Sequence, residues 1–327
     1  MKVDVHDRLP AVGAGAWQAL HARTRLRSPF LTWTWQSHWA EFFTEGRRLE
    51  VWQVTDAGGL VALLPLYEAA PGTFRLLGGT DVSDYLDLIA EDGREEEAWA
   101  ALLAARAAST AVWDLHAVPA ASPTVTALPS LAAAAGLRAV AAVEERCPVL
   151  SLPDSWDAYL ARLTGKQRHE LTRKMRRLER EAPDARVTSL DDPAALAARF
   201  DDFLDLHRRS RTGKARFMDA RMAAFFRTAV VALAGLGMAR LSFLETGGAP
   251  IAAFLTLEWD GTVGLYNSGF APERAALAPG VVLLGHLIRE AIARGRRRFD
   301  FLRGEERYKY DFGPVPEDVC AVRIGPR

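Results

Sequence analysis

Cys147 and Cys320 are the only cysteines in 327 residues, and neither sits in a CxxC pair. That excludes a disulfide framework and a thiolate zinc site, so no metal is expected. Long apolar runs are missing too. Residues 131–137 and 229–239, the longest such stretches, fall short of the roughly 20 residues that cross a bilayer. Residues 1–10 hold acids and no apolar core, unlike a secretory leader, so the expected location is the cytoplasm. Net charge is absent, with 41 basic against 41 acidic residues, which argues against a chain devoted to nucleic acid. No GxxxxGK[ST], HExxH or nucleophilic serine motif occurs, so nothing recommends a covalent mechanism.

What is present describes a soluble globular chain, 49% hydrophobic and 25% charged. Its length suits two ordinary domains, because single cores stop growing near roughly 250–300 residues. The neutral total hides local imbalance. Residues 166–180 form a basic block and 294–298 read Arg-Gly-Arg-Arg-Arg. Positive fields on a neutral chain point to an anionic ligand rather than to a polyanion wrapped over the whole surface.

The two halves echo one another. Residues 49–55 and 60–67 read as strands about an Asp-Ala-Gly-Gly turn, and 239–245 and 250–259 as strands about Thr-Gly-Gly-Ala. A helix follows in each half, at 95–108 and 281–293, and then a strand, at 111–116 and 298–302. Val112-Trp-Asp-Leu answers Phe299-Asp-Phe-Leu, so that even the acid recurs, as Asp114 and Asp300. One long-period echo of helices, hairpin, helix and strand predicts two copies of one α/β unit, residues 1–150 and 151–327, built on mixed sheets. Trp33, Trp35 and Trp39 are expected in the first core.

Three stretches of the second half carry chemistry. Residues 156–181 predict a helix with Leu160, Leu163, Leu171, Met175 and Leu178 on one face and Arg162, Lys166, His169, Arg173 and Arg180 opposite. Only Glu170, Glu179 and Glu181 are at hand to neutralise it, so the face is either merely solvated or covered by an anion. Pro279-Gly280 opens the next helix with unpaired amides beyond, which is an ordinary helix start or an anion site. Residues 299–313 hold Asp300 between two phenylalanines, then Arg303, Glu305, Tyr308 and Lys309. A buried carboxylate there needs a partner or a solvated cleft. His207 and His286 read as packed helix residues.

The motifs Ser28-Pro-Phe-Leu, Val82-Ser-Asp-Tyr-Leu-Asp-Leu, Lys166-Gln-Arg-His-Glu-Leu-Thr-Arg-Lys-Met-Arg-Arg-Leu, Pro279-Gly280 and Phe299-Asp-Phe-Leu-Arg-Gly-Glu-Glu-Arg-Tyr-Lys-Tyr resemble the CelD-like acetyltransferases, cellulose-synthesis-associated members of the GNAT superfamily. The tandem layout with Lys309-Tyr-Asp-Phe312 also looks like the FemAB peptidyltransferases. The resemblance implies a tandem pair of GNAT-like units, with an acyl donor lying between parting strands of the second. The co-substrate would be acetyl-CoA or another acyl-CoA, and the acceptor an amine or hydroxyl, including that of an envelope saccharide or its precursor. Arg168, Pro279, Gly280 and Lys309 would hold donor phosphates. Asp300 or Glu305 would take the acceptor's proton, Tyr308 would protonate the leaving group, Arg303 would orient substrate, and Asp84 and Tyr85 would touch the acceptor from the first unit. The usual GNAT loop of Arg or Gln followed by x-x-Gly-x-Gly or Ala is absent, since Arg274 and Gly280 lie too far apart. An aminoacyl-tRNA donor lying on the basic helix therefore remains an alternative, as does an inactive pair serving as a binding subunit.

Overall fold

A computed structural model describes residues 1–327, the side chain of Thr212 excepted. The chain divides into two compact units, Met1–Arg146 with Glu317–Arg327, and Cys147–Pro316. The last residues belong to the first unit, a return that two consecutive halves do not include.

In the first unit, strands Lys2–His6, Leu49–Asp56, Gly59–Ala70 and Thr73–Leu76 pair antiparallel in succession. Thr73–Leu76 then runs parallel to Val112–Pro119, which pairs antiparallel with Val315–Pro326. A parallel step cannot be closed by a tight turn, and helix Glu95–Arg106 supplies the crossover. Trp17, Trp35, Trp99 and Trp113 are fully buried, and Trp39 nearly so.

The second unit repeats the order. Arg186–Leu190, Ala239–Thr246, Ala249–Trp259 and Thr262–Phe270 pair antiparallel in succession. Thr262–Phe270 runs parallel to Arg298–Asp300, which pairs antiparallel with residues 149–151 of strand Leu137–Ser151. Pro279–Ala293 is the crossover helix. Both expected hairpins are present, with Asp56 paired to Gly59 and Thr246 to Ala249.

The basic segment is two helices, Trp156–Arg162 and Gly165–Glu181. Thr164 separates them with a capping box: its hydroxyl accepts from Gln167 N while Gln167 Oε1 accepts from Thr164 N at 3.0 Å. Leu171, Met175 and Leu178 are buried on the inner side. The helix packs over Pro279–Ala293 at Gly285, where an added Cβ would lie 3.0 Å from Leu171 Cδ1 and 3.4 Å from Met175 Sδ. No helix among the described residues is long and apolar enough to cross a membrane.

Candidate functional site

The second unit contains a gap between two parallel strands. Arg298–Asp300 pairs with residues 262–264 and ends there, whereas the neighbouring strand continues to Phe270. Tyr266 is an extra residue in that strand, because Leu255 faces Asn267 while Thr256 faces Leu265. Such a bulge bends a strand away from its neighbour. Ala271 N bonds Ile251 O. By antiparallel alternation, the amides and carbonyls of Ser268 and Phe270 point away from Ala249–Trp259, toward the side where no strand follows. An extended chain could pair with that edge.

The gap leads to the start of Pro279–Ala293. Ala278 takes a left-handed backbone (φ 51°), and no side chain caps the helix. Val282 N reaches the Ala278 carbonyl, but the amides of Gly280 and Val281 have no carbonyl one turn back. A cleft of about 540 Å³ opens beside them, lined by Lys166, Gln167, Glu170, Lys174, Val281 and Arg307 among others. Lys166, Lys174 and Arg307 form no ion pair with any described residue, whereas Glu170 is held by Arg173 at 2.8 Å. A helix start beside three cations that no ion pair holds, with Glu170 and Asp311 also in the lining, is suited to a phosphate-bearing group.

Lys309 has another task. It is buried, and its Nζ donates to the carbonyls of Arg303 and Gly304, both at 2.9 Å, and to Glu306 Oε2 at 2.8 Å. Those three bonds use all of its hydrogens, so it pins the turn after Asp300 instead of meeting phosphate. Asp300 is likewise 1% exposed, and its Oδ1 accepts from Leu302 N at 2.8 Å. Leu302 has a left-handed backbone (φ 56°), a conformation that costs a side-chain-bearing residue about 1–2 kcal/mol. Asp300 and Lys309 hold that turn, and a carboxylate so enclosed is out of an incoming acceptor's reach.

Arg168 is exposed, with one guanidinium nitrogen 3.4 Å from Leu160 O, and does not line the cleft. The cleft-facing positions of this helix are 166, 167, 170, 171 and 174, along and beside the apolar seam. Glu305 is exposed and accepts from the Tyr310 hydroxyl at 2.8 Å. Burial, aided by Glu306, pushes Tyr308 up to about 12, so its phenol keeps its proton at neutral pH. Arg303 lends its carbonyl to Lys309. Asp84 and Tyr85 lie in the first unit on a turn built into its core, where Ser83 accepts from the Trp35 indole at 2.8 Å and Leu86 N bonds Ala117 O.

Lys214 was not anticipated. From helix Thr212–Phe217 its Nζ donates to the Ser268 carbonyl, on the open strand edge, and lies 3.2 Å from Ser268 Oγ. His207 is buried, its Nε2 3.1 Å from Asn267 Oδ1, and burial lowers it to about 4. Among the described residues no cluster of His, Cys, Asp and Glu could hold a metal ion.

Residues 165–310 match the acetyltransferase (GNAT) domain family. That span holds the gap, the crossover helix and the basic helix, and its general class is acyl transfer. No curated protein matches this sequence. Among solved structures the fold is similar to FemX, with a TM-score of 0.66 at 12% identity over 98% of this chain and 97% of that one. A conserved protein of unknown function from Bacteroides thetaiotaomicron gives a TM-score of 0.62 at 12% identity over 99% of both chains. L-PGS from Bacillus licheniformis gives 0.56 at 12% identity, over 88% of this chain and 86% of that one. Together with the repeated strand order, these likenesses make the architecture a tandem pair of GNAT-like α/β units.

Proposed function

We propose that this protein transfers an acyl group, acetyl being the simplest, from acyl-CoA to an amine or hydroxyl acceptor, and that the second unit holds the donor. The carrying observation is the cleft: three cations that no ion pair holds beside the uncapped start of the crossover helix, the helix that follows the strand bordering the gap. Pyrophosphate would meet the amides of Gly280 and Val281 with Lys166, Lys174 and Arg307, while the carrier's arm pairs with Ser268 and Phe270. Pro279 fixes the first turn's backbone. Glu305, exposed at the surface, would take the acceptor's proton. The acceptor's identity, saccharide or otherwise, rests on resemblance alone.

Calorimetric titration of the full chain with coenzyme A tests this. Each charged contact is worth about 1.5–3 kcal/mol, so Arg307→Ala and Lys174→Ala should each weaken binding roughly tenfold or more. Affinity unchanged in both variants would remove the cleft from the site.

A second reading, an aminoacyl-tRNA donor, draws on the solvent face of Gly165–Glu181, where Arg168, His169 and Arg176 are exposed. It requires charged tRNA to bind with a steep salt dependence while coenzyme A does not bind. Silence with both ligands would leave the inactive binding pair.

A further inference from the structure

We propose that Lys214 is a catalytic residue of the second unit, its ammonium donating a hydrogen bond to the acyl carbonyl oxygen of the bound donor as charge develops there. The inference rests on the acyl-donor reading above and extends it to the reacting end of the gap. The strands part just past Gly264 and Asp300, and the helix start lies at the far end of Thr262–Phe270. A carrier whose phosphates sit at Gly280 and whose arm runs back along Phe270 and Ser268 brings its acyl group to the narrow end. Ser268 is the first residue past the bulge at Tyr266 to offer its backbone to the gap, and Lys214 Nζ already occupies that carbonyl.

The surroundings suit a donor of hydrogen bonds. Lys214 forms no ion pair with a described carboxylate. Burial and Arg211 lower it to about 8, with Lys309 acting in the same direction and Glu306 opposing them, and His207 also faces it. At neutral pH it is therefore still mainly an ammonium, without the enclosing carbonyls that use up Lys309. A half-buried cation held in place acts more strongly on a developing oxyanion than one free in water. In the transfer the acyl carbon–sulfur bond breaks as the acceptor's nitrogen or oxygen bonds that carbon, and the acceptor's proton ends on the released thiol. Lys214 keeps its proton throughout.

Competitive acetic anhydride labelling of the intact chain, each lysine read by mass spectrometry, tests the contact with coenzyme A and with acetyl-CoA as probes. Both probes should shield Lys166 and Lys174, and acetyl-CoA should slow labelling of Lys214 at least tenfold. Shielding of Lys166 and Lys174 with Lys214 unchanged overturns this proposal and leaves the donor site standing. Shielding of none overturns both. In parallel, Lys214→Met should lower affinity for acetyl-CoA about fivefold while changing that for coenzyme A less than twofold, and Lys214→Arg should restore the difference. Equal losses for the two probes would contradict a contact at the acyl oxygen.

Discussion

Replacing Lys309 with methionine removes an ammonium on which two carbonyls and a carboxylate converge. Charged hydrogen bonds of this kind are worth about 1.5–3 kcal/mol, reduced here because Glu306 is half-exposed. Lys309→Met should therefore lower the urea-unfolding free energy by about 2 kcal/mol. Wild-type stability combined with lost coenzyme A binding would instead make Lys309 a ligand. A second residue-scale effect belongs to Asp87 of the first unit. It is buried, accepts from Leu88 N and the Thr124 hydroxyl, and burial raises it to about 6. A carboxyl raised above its unfolded value near 3.9 binds its proton more tightly in the fold, so its contribution is present at low pH and is lost as pH rises through 6. Between pH 4.5 and 7.5 this amounts to about 2 kcal/mol. Relative to wild type, Asp87→Asn should gain about that much stability over the interval in urea titrations at the two pH values; a constant difference would contradict the assignment.

Strand Thr262–Phe270 lies tightly against helix Phe200–Ser210 at Gly269. A Cβ added at Gly269 would lie 2.3 Å from His207 N and 2.4 Å from Leu206 C, in the backbone of helix Phe200–Ser210, which cannot swing aside like a side-chain tip. Gly269→Ala should cost several kcal/mol, read as loss of soluble protein or a sharply lower melting temperature; a normal melting curve would mean a looser contact. Both hairpins and both crossover helices were legible in the sequence, because Gly-Gly turns and apolar periodicity are local signals. Lys2–His6, Arg186–Leu190, Leu137–Ser151 and Val315–Pro326 were not read as strands. The first two show little burial, and much of the other two faces solvent, so the buried apolar face that marks a strand is weak in each. The cleft was half legible. The basic helix and Pro279-Gly280 stand out in the sequence, whereas Lys174, Arg307 and Lys214 carry no local signal that sets them apart from other cations. Which side of a helix borders a cleft depends on what packs there, and Gly285, which fixes that contact, gives no sign of it in the chain.

At the scale of the molecule, the two units share a strand order but not an anion site. The first unit's crossover helix begins Glu95-Glu96-Glu97, and carboxylates at a helix start repel phosphate. Its parallel strands pair through Phe74 and Trp113, and the very next residues, Arg75 and Asp114, bridge them at 2.9 Å, with His116 on Asp114 at 3.0 Å and on Glu144 at 2.6 Å. In the second unit the pairing ends at Gly264 and Asp300, and among the described residues no such bridge follows it. One donor per chain is therefore expected. Gly280→Asp separates binding from folding, because a Cβ there meets nothing within 4 Å and an acid in the first turn favours the helix by about 0.3–1 kcal/mol. The most direct measurement is calorimetric titration of the full chain with acetyl-CoA. A stoichiometry of one, abolished by Gly280→Asp at an unchanged melting temperature, is the expected result; no binding by the wild-type chain, two sites, or full affinity in the variant would contradict it.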